Sequence, residues 1–467
     1  MIRSGMDVAR INFSHGEAET HLARIARIRQ IAKEEDAVVA VLCDLQGPKF
    51  RLGKIAQEPV TLKKGDMLTI TSRAGADGTN NVFPMPHVDF IQDVKPGDPL
   101  LLDDGALEFR VISKQSGDSI VCEVIVPGPL SSRKGVSAPR SFLKSTALPD
   151  KDRQDVEVAV KAEADFIAMS FVRTPEDVRE LRWLLKHLRG EKIPIISKIE
   201  KHEALQNIEA IIAESDGIMV ARGDLGVETP LERVPLEQKR IIRLCNELGK
   251  PVITATQMLQ SMTSNPRPTR AEVTDVANAI WDGTDAVMLS GETASGQFPV
   301  ESVMTMAEIA KNAESVFEED ARRDFRVMPT KLDASFERVS DSTSRAASIM
   351  AREVGAKLII TSTMSGYTAY RVARQRPSAP ILALTPDERT LRRLALTWGV
   401  IPVTVSSYDT IDEMFKTVVR TAYDSGIVEY GDVVIVVAGV PFRVAGSTNL
   451  LKVHTVGEMA EVPEKRG

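Results

Sequence analysis

Two periods of apolar residues alternate along most of this chain. Residues 8–13 read as a strand, and residues 17–34 as a helix with Leu22, Ile25, Ile28 and Ile31 near helical spacing. Residues 38–43 are apolar throughout, rich in β-branched side chains, and end at Asp44. That pattern belongs to a strand buried on both faces of a parallel sheet. The same kind of run recurs at 165–171, 193–199, 217–221, 251–256 and 285–289, with helical segments between. Repeated strand–helix units predict an α/β barrel or a doubly wound sheet. Polar residues close nearly every strand at its C-terminal end, which favours the barrel, where active sites gather on that face.

The pattern breaks twice. From about 48 to 146, Gly, Pro and Asp turn signals separate short strand-like runs such as 67–71 and 120–126, and no long helical pattern appears. This predicts an all-β insert. A charged, irregular stretch at 318–336 reads as a linker. Beyond it strands at 357–361, 380–384, 401–405, 432–437 and 451–456 alternate with helices as a further α/β domain. The expected division is therefore 1–47 and 147–325 for the barrel, 48–146 for the insert and 335–467 for the C-terminal domain. Two barrel strands precede the insert and five follow it, one short of eight, and the chain opens directly at a strand. The expectation is a (β/α)8-type TIM barrel whose first βα unit is missing.

Composition adds limits rather than direction. With 467 residues the chain has room for two to four domains. A formal net charge of −6 gives no support for a nucleic-acid partner. Cys43, Cys122 and Cys245 show no metal spacing and fit reduced thiols in a cytoplasmic protein. No apolar run approaches the ~18–20 residues of a membrane span, so no membrane partner is expected.

The chemistry concentrates at the strand ends. Lys198 and Glu200 lie two apart on one strand and so face the same side, while Asp224 closes the next strand. An ammonium beside two carboxylates suits both a divalent cation and a phosphoryl group. Arg222-Gly-Asp224 also matches a cell-adhesion tripeptide, but behind a buried strand it should face the barrel mouth. Asp103-Asp-Gly105 reads as a tight turn, Gly47-Pro48 as a hinge at the entrance to the insert, and the Met-containing strands as core.

Six segments line up on this rim: Ala9-Arg-Ile-Asn-Phe-Ser-His-Gly16, Asp44-Leu-Gln-Gly-Pro-Lys-Phe-Arg51, Ser197-Lys-Ile-Glu200, Ala221-Arg-Gly-Asp-Leu-Gly226, Thr254-Ala-Thr-Gln-Met258 and Leu289-Ser-Gly-Glu-Thr293. With Arg267-Pro-Thr-Arg-Ala-Glu272, they resemble the pyruvate kinase family over essentially the whole chain. The resemblance implies Mg²⁺- or Mn²⁺-dependent phosphoryl transfer from phosphoenolpyruvate to ADP, giving pyruvate and ATP. It also implies a mobile β-barrel lid, a regulatory C-terminal domain and a cytoplasmic homotetramer. Carried over position by position, it makes Glu200 and Asp224 the metal ligands and Lys198 a mobile charge that follows the phosphoryl group. Arg10 and Arg51 would hold phosphate oxygens, and Arg10, Asn12 and His15 would lie towards the nucleotide. The turn at Gly223 and Asp224 would offer backbone N–H groups to the substrate carboxylate. Thr256 would relay a proton to the enolate, ahead of Ser290 and Glu292.

One departure from the family pattern changes an expectation. Members that bind K⁺ carry a Thr after the Asp44 position and a Glu at the Lys49 position. This chain has Leu45 and Lys49, while Asn12, Ser14 and Asp44 remain. The expectation is a vestigial monovalent-cation site in which Lys49, reaching towards Asp44, acts as a tethered cation, so that K⁺ is not required. In the C-terminal domain Ser362, Thr363, Ser365, Gly366 and Thr368 form a candidate loop for a phosphorylated effector, with Gly446-Ser-Thr-Asn449 to complete it. A helix cap without a ligand is the plainer reading of that loop. Two other readings of the whole remain open: a Mg²⁺-dependent lyase or aldolase acting on pyruvate enolate, and an inactive truncated paralogue.

Overall fold

The computed structural model describes every residue except 140, 142, 145, 321–334, 442–446 and 459–467, with the backbone course alone at 316–320 and 335–337. Seven parallel strands form its central sheet: β1 (Val8–Asn12), β2 (Ala40–Asp44), β3 (Phe166–Met169), β4 (Ile195–Ile199), β5 (Gly217–Ala221), β6 (Val252–Ala255) and β7 (Ala286–Met288). They pair in sequence order, from Val8 opposite Ala40 at one edge to Ala255 opposite Met288 at the other. These are the seven strands that the apolar runs marked, with bounds that agree to within two residues at each end. β2 to β6 are buried along their whole length, as expected of strands covered on both faces. The curled sheet is the wall of a TIM-type barrel, with β1 and β7 at its edges among the described residues.

The polypeptide leaves β2 into the insert. There a six-stranded, mostly antiparallel sheet and a two-stranded ribbon enclose Phe83, Phe90, Phe109, Ile120 and their neighbours. Asp103, Asp104 and Gly105 form the tight turn that their residue types predict, all three with positive φ. The linker reading is only partly visible. The helices Pro299–Asp320 and Ser335–Glu353 take its two ends, and 321–334 lies outside the described residues. Further on, five strands carry the C-terminal sheet, four parallel and Leu450–Thr455 antiparallel at one edge.

The C-terminal domain is fixed to the end of the barrel away from the proposed rim. Arg392 reaches Asp165, just before β3, at 2.8 Å, and Arg376 reaches Asp285, just before β7, at 2.9 Å. The buried Arg374 joins Asp341 to the backbone carbonyls of Asn246 and Glu247. Charge-assisted contacts with backbone carbonyls and carboxylates satisfy these guanidinium groups where water is excluded.

Entry into the insert is tightly constrained. Asp152, on the first turn after the insert, accepts the backbone N–H groups of Gln46 and Gly47. Gly47 sits at φ +71°, and a Cβ there would come within 2.6 Å of Phe171 and 2.8 Å of Ser170. Left-handed backbone and overlap together predict that Gly47→Ala destabilises the protein by about 2–4 kcal/mol. The thermal midpoint should fall by several degrees; an unchanged midpoint would show that the hinge tolerates a side chain.

Candidate active site

The rim residues converge on one buried ammonium. Lys198 and Glu200, from the end of β4, stand side by side with Nζ–Oε1 at 3.0 Å. Lys198 also lies 3.2 Å from Asp44 Oδ1, at the end of β2, and donates to the Ser170 hydroxyl at 2.7 Å. One donor goes to the Ser170 hydroxyl, and the two carboxylates pair with the ammonium as ions. The side chain is only 11% exposed, so its position is set by these contacts. Burial and these contacts hold the group in place in this structure. Burial by itself would lower the Lys198 pKa, but the charges of Asp44 and Glu200 hold it above the usual lysine range.

The carboxylates divide in the opposite sense. Burial would raise Asp44, yet Lys198 and Arg10, whose Nε donates to Asp44 at 2.6 Å, keep it below the usual carboxylate range. Glu200 is pushed up, first by burial and further by the nearby Asp224 charge, which outweigh Lys198 and the backbone N–H of Phe171 on its Oε2. Two carboxylates that repel each other across a gap are a fitting pair for a divalent cation, which takes such oxygens together with substrate oxygens and water.

Lys49 differs from its expected place. Asp44 is already shared by Arg10 and Lys198, and Lys49 instead approaches Asp224 Oδ1 at 3.3 Å. The other residues of the expected monovalent-cation site are engaged within the chain. Asn12 Oδ1 accepts the Ser14 N–H, and the buried Leu45 gives its carbonyl to the Ser170 hydroxyl.

Three residues on the rim hold unusual backbone, among them Gln257 at φ +54°. Thr256, just past β6, has φ +71°, and Phe171, just past β3, has φ +55°. A β-branched or bulky side chain in this region is strained, and such strain gathers at functional sites. The Thr256 hydroxyl accepts the Gly223 N–H at 2.7 Å and donates to the Ala255 carbonyl at 2.6 Å. Gly223 therefore presents its N–H to Thr256, and a substrate carboxylate must displace that hydroxyl to use it. Gly223 and Asp224 open the helix Arg222–Glu228, as their spacing suggested.

The remaining candidates are more dispersed. Glu292 is fully buried and braces two loops, accepting Leu259 N–H on one oxygen and Ser290 N–H on the other. Arg51 lies against the insert, bridged to Gly135 and donating to the Arg133 carbonyl. His15 is exposed on the turn after β1. In the C-terminal domain Ser362 ends the strand Leu358–Ser362 and, like Thr363, is buried, Ser365 is exposed, and Gly366 caps the helix Tyr367–Ala373 with φ +84°. Thr368 meets Thr448 at 3.0 Å, so the second segment does reach the loop, while Gly446 lies outside the described residues.

Comparison with known proteins decides the family. The profile of the pyruvate kinase barrel domain matches residues 1–303, and that of the pyruvate kinase alpha/beta domain matches 341–454. The chain belongs to the pyruvate kinase family. It is 47% identical over 461 residues to the pyruvate kinase of Geobacillus stearothermophilus, covering 98% of this chain and 77% of that one. It is 44% identical over 455 residues to the pyruvate kinase of Clostridium acetobutylicum, covering 97% and 95%. The pyruvate kinase of Clostridium perfringens is likewise 44% identical over 458 residues, with the same coverage. Pyruvate kinases are phosphotransferases of glycolysis that act on phosphoenolpyruvate and ADP and generally use Mg²⁺ and K⁺. No helix among the described residues is long and apolar enough to cross a membrane.

For a pyruvate kinase the site also holds residues that the sequence did not single out. Ser170 links Lys198 to the Leu45 carbonyl. As a polar residue at the end of a barrel strand, it carried the same positional signal as the others. Arg222 braces the strained Thr256, donating to its carbonyl at 2.7 Å while paired with Asp275 at 2.6 Å. Only the fold brings Asp275 near. Removing the Ser170 hydroxyl takes away a charge-assisted hydrogen bond of about 1.5–3 kcal/mol. Ser170→Ala should lower kcat about tenfold or more with little change in KM for phosphoenolpyruvate. Unaltered turnover would remove Ser170 from the positioning of Lys198.

Proposed function

We propose that this chain transfers the phosphoryl group of phosphoenolpyruvate to ADP at the cluster built around Lys198, with Glu200 and Asp224 holding Mg²⁺. The observation that carries this reading is the buried Lys198 ammonium, 3.0 Å from Glu200 and 3.2 Å from Asp44. Phosphoryl transfer demands positioned positive charge more than covalent chemistry, and a fixed ammonium in a dry site supplies it without reorganisation. Bound Mg²⁺ supplies Lewis-acid neutralisation of charge on the phosphoryl and enolate oxygens. Arg10 shares Asp44 with Lys198 and turns its remaining donors towards the phosphate. Arg51 and His15 line the lid and nucleotide sides, with Asn12 beside them. Substrate carboxylate arriving at Gly223 releases the Thr256 oxygen from that N–H, which suits Thr256 as the proton relay to the enolate. Ser290 and Glu292 follow it in that step, Glu292 by bracing both loops.

K⁺ is not required in this reading. Lys49, 3.3 Å from Asp224, already provides a tethered positive charge at the metal end of the site. The separate barrel, insert and C-terminal sheets support the division into 1–47 with 147–325, 48–146 and 335–467. A phosphorylated effector would use the hydroxyls of the 362–368 loop. The exposed Leu231 and Leu236 support association into a homotetramer, and the reaction suits the cytoplasm.

Pyruvate formation from phosphoenolpyruvate, followed with and without ADP, tests the reaction. The wild type should need ADP and Mg²⁺, and Lys198→Met should lose at least about a thousandfold in kcat with KM much less affected. Pyruvate release without ADP would make water the phosphoryl acceptor and contradict the kinase reading, and wild-type rates in Lys198→Met would sink the assignment of that residue. Adding K⁺ to enzyme assayed in tetramethylammonium buffer should change turnover less than about twofold, whereas Lys49→Glu should gain K⁺ activation; strong activation of the wild type would refute the tethered-cation reading.

A further inference from the structure

One helical turn behind the proposed catalytic carboxylates lies a second set of ligating atoms. His202 is two residues past Glu200, and Glu228 closes the helix that Asp224 helps to open. Together with Glu203 they bring three donor atoms within 4.8 Å of one another. His202 Nδ1 stands 3.0 Å from Glu203 Oε2 and 3.9 Å from Glu228 Oε2. All three atoms are shielded from solvent, and none makes an aligned hydrogen bond.

Glu228 gives the cluster its direction. Its side chain is 4% exposed, and its Oε1 is held by Lys201 at 2.5 Å and by the Ser137 hydroxyl. The other oxygen is left aimed at His202 and Glu203 without a hydrogen-bond partner. A buried carboxylate oxygen without a partner costs about 1–3 kcal/mol or more, and such groups ask for an explanation. A cation at the centre of the three atoms satisfies them at once. Tetrahedral ligands at metal distances of about 2.0–2.1 Å stand roughly 3.3 Å apart. The two separations from His202, 3.0 and 3.9 Å, bracket that value, and the third is within 4.8 Å, which leaves a fourth position for water on the half-exposed side of His202.

We propose that His202, Glu203 and Glu228 form a second divalent-cation site, built for a nitrogen-accepting transition ion such as Zn²⁺ rather than for Mg²⁺. One imidazole nitrogen with two carboxylate oxygens suits Zn²⁺, Co²⁺ or Mn²⁺, whereas Mg²⁺ prefers oxygen alone and keeps its waters. The site is coupled to the rim through the chain itself. Ser137 belongs to the insert strand Val136–Ser137, so Glu228 already ties the insert to the barrel wall. A cation on its free oxygen clamps that joint and fixes the helix bearing Asp224. The other way to fill the cluster is a proton on His202 shared by the two carboxylates, whose contacts raise the imidazolium pKa. The proposal stands apart from the phosphotransfer reading, because cation binding is measured without turnover.

The test is calorimetric titration of Zn²⁺ into the chelator-treated full chain in excess Mg²⁺, which keeps Glu200 and Asp224 occupied. The wild type should bind one Zn²⁺ per chain, and His202→Gln and Glu203→Gln should each weaken that event at least about tenfold. Substituting Co²⁺ should give visible absorption bands that His202→Gln abolishes. Melting followed by circular dichroism identifies any variant that fails to fold, and if one of the two does, the other serves. No Zn²⁺ binding by the wild type, as expected if a proton fills the cluster, or binding unaltered in both variants, as expected of a site elsewhere, would overturn the proposal.

Discussion

The placement of one ammonium in the interior governs this structure. Lys198 is taken almost fully out of water, which is tolerable because Asp44 and Glu200 pair with its charge and Ser170 accepts a hydrogen bond from it. Each partner comes from the end of a different barrel strand or from the segment just after it, so the ammonium reports whether β2, β3 and β4 are in register. Removal of any one leaves a buried charge short of a partner. Stability and function thus draw on the same contacts, and the site should tolerate substitution poorly even where no substrate touches.

Strain surrounds this centre where the backbone must turn sharply out of a strand. Phe171 takes positive φ while its N–H donates to Glu200, and Thr256 takes positive φ while its hydroxyl accepts the Gly223 N–H. Both conformations cost energy, offset by the packed strands beneath and by braces such as Arg222 and Glu292. Gly47, pressed against Ser170 and Phe171, joins the insert to the same region. Movement of the insert would therefore be felt by the residues that hold Lys198.

Much of this was legible in the sequence because it follows from local pattern. Apolar runs of four to eight residues gave all seven strands, and the two-residue spacing of Lys198 and Glu200 gave their common side. What the sequence could not give depends on contacts between distant elements. Lys49 and Asp44 are close in the chain, which made their pairing plausible. Yet Arg10 and Lys198 fill Asp44, and Lys49 turns to Asp224, 175 residues away. Asp275 beside Arg222 and Glu228 beside His202 were invisible for the same reason: nothing local marks a side chain whose partner lies on another helix.

The central claim is that Lys198 and Asp44 act as one unit. A double-mutant cycle on kcat for phosphoenolpyruvate with ADP, using Lys198→Met, Asp44→Asn and the double variant, measures this most directly. If the account is right, the double variant is no slower than about threefold below the slower single variant, because the second change removes a partner whose purpose is already lost. If the two losses simply multiply, the residues work independently, and the account is contradicted.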